Sequence, residues 1–470
     1  MIKVSSDNWQ FVDAEIGETF VPFGCNYFDA HCGGWPPQIW RKFNRTKVER
    51  DFETMEDLGV NIARVFLTLN SFMPKIDEIN KKALEHLHDL ISIAEKHHIY
   101  LILTGLETWE GMPEWCHDFF VNEATLQGEE FFWASIAEEL SQEKYVFAYD
   151  LKNEPIIPWK SIDMATYWNT WLKIKYGTRE KLAESWLDLA PSESWGSIEL
   201  PDDGLADKPN DPRLYDYQVF REKIAYNWTK RLVHAIRSVD KNHMVTVGLI
   251  QFLPFERPYS NNDKRPYSGF DPRELADLLD FISVHAYPYS PVQGLFDPFA
   301  SKESFDKALQ YVEALVRYCY FGKPVVLEEF GWYGGGAPPG LAPEEAKRLP
   351  YRTQEEQAIW CQSVVESTMG CASGWVVWLY QDTPQASDIS QYGGLISYDG
   401  SIKEWGKRFK ELSRHIREEK LKRVPGVTSI EFDKRKVLTS RMAIIEFWRN
   451  YFEERKKGPV DIFQKNLRFS

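Results

Sequence analysis

The sequence predicts an α/β protein folded as a closed (β/α)8 TIM barrel, with an inserted subdomain after the fourth strand and a helical C-terminal tail. Three observations carry that prediction. Short β-branched apolar runs recur eight times, each followed by a stretch with helical spacing, which is the order of parallel strands joined by crossover helices. Eight such units over about 380 residues fit a closed barrel rather than an open sheet. The seventh run, KPVVLEEFGW at 323–332, has the make-up of an interior strand and ends in two carboxylates, an aromatic and a glycine.

Taken in order, residues 21–27 (VPFGCNY) form the first strand, and an aromatic loop containing Gly and Pro runs on to Trp40. Val48, Phe52, Met55 and Leu58 then recur at helical spacing, with Gly59 as a stop signal. Strand two is 61–67 (NIARVFL), strand three 100–104 (YLILT) and strand four 146–151 (VFAYDL), with helices at 79–97 and 129–140 between them. Residues 159–212 break the rhythm and read as an insertion, after which a helix at 216–239 resumes it. Strands five to eight are 244–248, 280–285, 324–327 and 374–380, separated by helices at 272–279, 305–320 and 354–369. The barrel is assigned to 1–405 and a charged helical extension to 406–470. The last stretch of that extension sets Met442, Ile445, Trp448 and Phe452 at helical spacing, a face expected to dock on the barrel wall.

The chain has 470 residues, 43% hydrophobic and 27% charged, which is ordinary for a globular protein. Its formal charge of -14 argues against a nucleic-acid or anionic-membrane surface and favours a neutral partner. Aromatic residues reach 15%, with 18 Trp, more than packing alone requires; indole and phenol rings suit the CH-rich faces of sugars, although many must lie in the core. Six cysteines (Cys25, Cys32, Cys116, Cys319, Cys361, Cys371) show no CxxC spacing and read as reduced, buried thiols. The N-terminal MIKVSSDNWQ has no apolar leader core and no run of 18 apolar residues occurs, so a cytoplasmic location is expected.

In such barrels the active site is built where the strands end. Strand two carries Arg64, strand three leads to Glu107 and Trp109, strand four to Asn153 and Glu154, strand six to His285 and Tyr287, strand seven to Glu329, and strand eight to Trp378. Two carboxylates from different strands are what glycosidic hydrolysis needs, one protonated to release the leaving oxygen and one ionised to attack the anomeric carbon. Alternation sets Val325, Leu327 and Glu329 on one side of strand seven and Val326 and Glu328 on the other. With the first set facing the site, Glu329 is the functional acid, and Glu328 faces the helices in an ion pair.

Asn153-Glu154-Pro155 after a strand, His285-Ala286-Tyr287 on strand six, Glu329-Phe330-Gly331 on strand seven and Trp378 on strand eight together resemble the retaining glycoside hydrolases of the clan containing family 5, the cellulase and mannanase family. The resemblance covers roughly 21–405. It implies Glu154 as general acid/base, Glu329 as nucleophile, Asn153 as the partner of the sugar 2-hydroxyl, Tyr287 as a donor to the nucleophile, and Trp378 as the floor beneath the cleaved sugar. Arg64 matches the arginine beneath the nucleophile; a purely structural pairing at the barrel mouth is its other reading. Asn153 and Glu154 are adjacent, so both can serve one site only if the strand end bulges or turns sharply.

Where many family members end strand three in His, this chain reads LILTGLETWEG, which leaves Glu107, Trp109 or Glu110 to grip the terminal sugar, or a merely solvated loop. In the insertion, Trp171, Leu182 and Trp186 form a mini-core or, by resemblance to exo-acting relatives such as family 42 β-galactosidases, a wall on the aglycone side. His86, His88, His97 and His98 sit on and after a helix and offer no convincing metal set. The expectation is a cofactor-free and metal-free retaining β-glycosidase acting on mannose- or glucose-configured oligosaccharides. An exo-β-mannosidase leads, by resemblance to the KPVV-EEFG wording of mannan-active relatives; an endo-β-mannanase or endo-β-glucanase, and a non-catalytic carbohydrate-binding barrel, are the alternatives.

Overall fold

The structure is a computed structural model that describes residues 1–33, 35–187, 195–201, 209–255, 267–290, 294–295, 297–336 and 349–465. Eight parallel strands close into a barrel: β1 (Phe23–Asn26), β2 (Ile62–Thr68), β3 (Tyr100–Glu107), β4 (Val146–Asn153), β5 (Met244–Leu249), β6 (Ile282–His285), β7 (Val325–Glu329) and β8 (Gly374–Val377). Each pairs with its sequence neighbours, and β8 pairs with β1. Their apolar runs are buried on both faces, as parallel strands covered by helices must be. Ile62, Ile102, Phe147, Met244, Val326 and Val376 fill the barrel interior, where they meet Ile2 and Phe11. Those two come from a three-stranded antiparallel sheet (Ile2–Val4, Phe11–Asp13, Thr19–Phe20) that the sequence reading did not include.

Helix starts follow from local chemistry. Asn44, Asn80 and Asn122 each accept a hydrogen bond from the first turn of the helix they precede, and Thr353 and Glu356 form a reciprocal capping box. The boundary expected at residue 405 falls inside a helix. Glu404–Glu418 stacks Phe409 on Phe23 of β1, with ring centres 4.4 Å apart, and so occupies the place of the eighth barrel helix. Beyond it the chain adds a parallel pair of strands, Thr428–Phe432 and Val460–Gln464, around the helix Arg441–Arg455. That helix docks on the barrel helix Lys302–Tyr318 through Trp448, packed on Tyr311 and Phe255. Its buried face is Ile444, Phe447, Trp448 and Tyr451, whereas Met442 is 55% exposed. The stripe read from sequence was therefore rotated by about one position, because Met442 belongs to the opening turn on the outer side.

After β4 the helices Met164–Tyr176 and Arg179–Ser185 bury Trp168, Leu182 and Trp186 against Tyr217 and Phe220 of the long helix Pro212–Val239. Trp171 stacks on Trp168 at 5.5 Å, so the grouping noted in sequence is a packed mini-core. Residues 188–194 and 202–208 of the 159–212 segment lie outside the described residues. All six cysteines are buried and unpaired. His97 is also buried, bonded to Glu56 at 2.7 Å. No helix among the described residues is long and apolar enough to cross a membrane.

Candidate active site

At the strand ends the centre of charge is Arg64, which is wholly buried. Its Nη1 donates to Glu329 Oε1 at 2.6 Å and to Asn26 Oδ1 at 3.0 Å. Nη2 donates to Asn153 Oδ1 and Asp150 Oδ2, each at 2.8 Å, and Nε to Asp150 Oδ2 at 3.2 Å. A guanidinium presents its donors in a rigid fork, so one side chain sets the positions of β1, β4 and β7 residues together. Asp150 further accepts from Thr104 Oγ1 at 2.7 Å and from the Gly248 amide at 2.6 Å. Burial, aided by Glu328 and opposed by Arg64 and Thr104, pushes the Asp150 carboxyl up to about 6.

Glu154 reaches the site because β4 is irregular at its end. The register with β5 shifts between Asp150 and Asn153, and Glu154 takes φ 44°, a left-handed conformation that a non-glycine residue adopts at a cost. Its amide donates to Gly248 O at 2.9 Å, which holds the turn. This is the irregularity that adjacent Asn153 and Glu154 required.

A second irregularity corrects the reading of β7. Val325 and Leu327 pack outward among the helices, while Val326 lies in the barrel interior, opposite to the assumed alternation. The register with β6 then shifts between Leu327 and Glu329, and both glutamates turn inward. Glu329 is thus delivered by a bulge, not by simple alternation. Glu328 does not face the helices: it is fully buried beneath the site, 3.6 Å from both Arg64 Nε and His285 Nε2.

His285 Nδ1 lies 3.0 Å from Glu154 Oε1 and 3.5 Å from Glu329 Oε1. Burial disfavours the imidazolium, but Glu329, Glu154 and Glu328 outweigh it and carry His285 up to about 10. Tyr287 Oη donates to Glu329 Oε2 at 2.7 Å. Burial raises the Glu329 carboxyl above its ordinary value, while His285, Arg64 and the Tyr287 hydroxyl limit the rise. Atoms of Glu154, His285 and Glu329 all lie within 4.8 Å of one another. The imidazole thus stands between the two carboxylates with its Nδ1 in reach of both.

The remaining candidates divide into wall and support. Trp378 donates its indole N–H to Ser390 Oγ at 2.9 Å and stands perpendicular to Trp109 at 6.4 Å. Phe66, Trp35 and Phe28 complete this aromatic cluster. Glu107 is buried and accepts the Asn153 amide at 3.1 Å, so it positions the end of β4. Burial raises its carboxyl, opposed by Lys152. The Glu110 carboxylate is turned into the protein, holding Ser71 at 2.5 Å and Arg41 at 3.2 Å. Of the three strand-three candidates, Trp109 is the one beside Trp378. Asn26 and Asp150 were missed, and Glu328 was named but placed on the wrong face, because polar groups buried below a site leave no motif; their polar character within apolar strands was the available signal.

Gly248 makes this cluster possible. A Cβ there would lie 2.8 Å from Arg64 Nη2 and 3.1 Å from Asp150 Oδ2 and Glu328 Oε2. Those groups are locked by their ion pairs, so Gly248→Ala is expected to lower kcat/KM roughly 10–100-fold with the fold retained. Wild-type rates in a steady-state assay would show that the cluster has slack.

A model of the family described as Cellulase (glycosyl hydrolase family 5) matches residues 17–381, which include all eight strands and every site residue above. Among curated proteins, a putative mannan endo-1,4-beta-mannosidase 9 from Oryza sativa subsp. japonica is 28% identical over 27% of this chain and 33% of its own length. Mannan endo-1,4-beta-mannosidase 4 from Solanum lycopersicum is 25% identical over 26% of this chain and 32% of its own. The match thus spans about a third of these relatives. Among solved structures, the exo-beta-1,4-mannosidase Op5Man5 from an Opitutaceae bacterium superposes with a TM-score of 0.63 at 18% identity, covering 98% of this chain and 72% of that one. A GH5_18 protein from Bifidobacterium longum subsp. longum, in complex with Manb1-4GlcNAc, gives 0.64 at 17% identity, covering 95% and 91%. Because the family match takes in the barrel from its first strand to its last, with the two carboxylates and the arginine between them, the chain belongs to glycosyl hydrolase family 5, the cellulase family.

Proposed function

We propose that the protein is a retaining β-mannosidase that removes single sugars from the ends of oligosaccharides, with Glu154 as general acid/base and Glu329 as nucleophile. The observation that carries the mechanism is the approach of the two carboxylates to within 4.8 Å. Retaining pairs stand about 5–5.5 Å apart, whereas inverting pairs need about 6.5–9.5 Å to admit a water. Glu329 attacks the anomeric carbon as Glu154 gives its proton to the departing oxygen, leaving a glycosyl ester. Glu154 then takes a proton from water, whose oxygen attacks the same carbon and frees Glu329. Arg64 engages the Asn153 carbonyl oxygen, so the amide NH2 is the end offered to the sugar 2-hydroxyl.

Mannose as the sugar is supported by the mannan-active relatives and by the neighbour that holds Manb1-4GlcNAc. Exo action is supported by the aromatic wall beside Trp378, where the cleaved sugar would rest: Trp109 packs 4.5 Å from Phe66, and its loop is anchored by Glu110. A longer chain would run into these rings. The curated relatives are endo-acting by name, which favours the second reading, an endo-β-mannanase.

Aryl β-D-mannosides, glucosides and galactosides assayed beside polymeric mannan and cellulose separate the two. Fastest turnover of the aryl mannoside is expected, with the β-anomer of mannose as the first product seen by proton NMR. Hydrolysis of mannan without any aryl monosaccharide turnover would sink the exo reading, and an α-anomer first product would sink the retaining one.

A further inference from the structure

Three buried acids of the site take no part in the reaction, and of these Asp150 and Glu107 are hydrogen-bonded whereas Glu328 is not. Both of its carboxylate oxygens are sealed from solvent without a hydrogen-bond partner among the described residues. Buried carboxylates are normally met by several donors, so such a group needs another reason to be there. Its neighbours are the Arg64 guanidinium and the His285 imidazole, each at 3.6 Å, too long for a hydrogen bond and close enough for an ion pair with a charged partner. His285 Nε2 likewise lacks a hydrogen-bond partner, so the edge of the ring away from Glu154 faces Glu328. The opposite edge, Nδ1, faces Glu154 and Glu329.

We propose that Glu328 is a positioning residue acting through His285: its carboxylate holds the imidazole ring in its charged form, with the Nδ1–H kept on the Glu154–Glu329 pair through both half-reactions. This rests on the assignment of that pair as the reacting groups. Only the imidazolium donates from both edges, and both edges meet carboxylates. The charged or titratable groups facing the ring are Glu328 and Glu329 from β7, Glu154 from the end of β4 and Arg64 from β2, and Arg64 alone opposes the positive charge. The raised proton affinity of His285 agrees with this balance.

The role is needed because the other two negative charges are not constant. Esterification removes the charge of Glu329 at the moment Glu154 loses its proton to the leaving oxygen; hydrolysis reverses both changes. Glu328 takes no part in either exchange, so its charge is the fixed one beside the ring. No proton leaves His285 in the cycle. The bulge in β7 that presents Glu329 is also what turns Glu328 inward, so one backbone irregularity supplies both nucleophile and support.

The test is Glu328→Gln and Glu328→Asp, read by the pH profile of kcat/KM on an aryl β-mannoside and by 15N NMR titration of His285, assigned with His285→Asn. In Glu328→Gln, His285 is expected to lose its proton about one pH unit or more below the wild type. The alkaline limb of the profile should move down with it, and Glu328→Asp should restore part of the shift. Identical His285 titration in Glu328→Gln and wild type would overturn the proposal. Should Glu328→Gln not fold, the wild-type spectrum decides: a neutral His285 at pH 8 overturns it, and an imidazolium there whose titration moves down in Glu328→Asp supports it. The NMR readout needs no turnover, so failure of the glycosidase reading would appear separately, as absence of hydrolysis while the downward shift of the His285 titration in Glu328→Gln is still seen.

Discussion

Glu329→Ala is expected to lose hydrolysis by about 10⁴-fold or more, with the barrel intact, because the proposed nucleophile is removed. Glu154→Ala should lose as much on sugars with poor leaving groups and far less on activated aryl glycosides, whose leaving oxygen needs no proton. Azide distinguishes the two variants by stereochemistry. In Glu329→Ala the space left by the carboxylate admits azide to attack directly, giving the inverted α-glycosyl azide. In Glu154→Ala the ester on Glu329 still forms and azide replaces water in the second step, giving the β-glycosyl azide. Product analysis by NMR that showed the opposite pairing would exchange the two assignments, and near-wild-type rates in both variants would discard them.

Arg64→Met is expected to cost about 3–5 kcal/mol of folding stability as well as activity. The substitution leaves Asp150, Glu328 and Glu329 buried around a vacated cation. The sign of the pH effect follows from the directions of the carboxyls. In the wild type, Asp150 sits up at about 6 against an ordinary 3.8, so the folded protein binds this proton more tightly than the unfolded chain. Its stabilising contribution is complete below about pH 4 and is lost as pH rises through about 6. Arg64 pulls Asp150 and Glu329 downward, so removing it extends that window upward. Thermal unfolding of Arg64→Met measured from pH 8 to pH 5 should therefore show stability returning on acidification, more steeply than in the wild type. The acid limb of kcat/KM should move to higher pH, since Glu329 would lose its charge sooner. A variant with wild-type stability at pH 8 would mean that the carboxylates find other compensation.

Much of the site was readable because its residues sit at ends of apolar runs, where a polar side chain has few other reasons to be. Arg64, Asn153, Glu154, His285, Tyr287, Glu329 and Trp378 stand out in this way, and the structure brings all of them to one end of the barrel. The strands were legible for the same reason: doubly buried parallel strands must be apolar, and eight of them at this spacing close. Less legible were elements whose pattern serves two structures at once. The helix Glu404–Glu418 reads as a charged tail from its mean composition, although Phe409 and Trp405 place it on the barrel. The short N-terminal strands are too brief to show a period.

The sequence by itself determined the fold, the order of the strands, and most of the side chains that meet at their ends, because burial and periodicity act on each segment locally. Only the tertiary structure decided which way the two glutamates of KPVVLEEFGW point. Alternation along an ideal strand would send one of them outward, and the reading from sequence chose Glu328 for that place. The register between β6 and β7 slips by one residue, and both turn inward. A slip of this kind is set by the neighbouring strand and by the cation they share, Arg64, neither of which is contiguous with these residues in sequence. The same holds for the distance between Glu154 and Glu329, which depends on the left-handed turn at Glu154 and on the closure of the barrel.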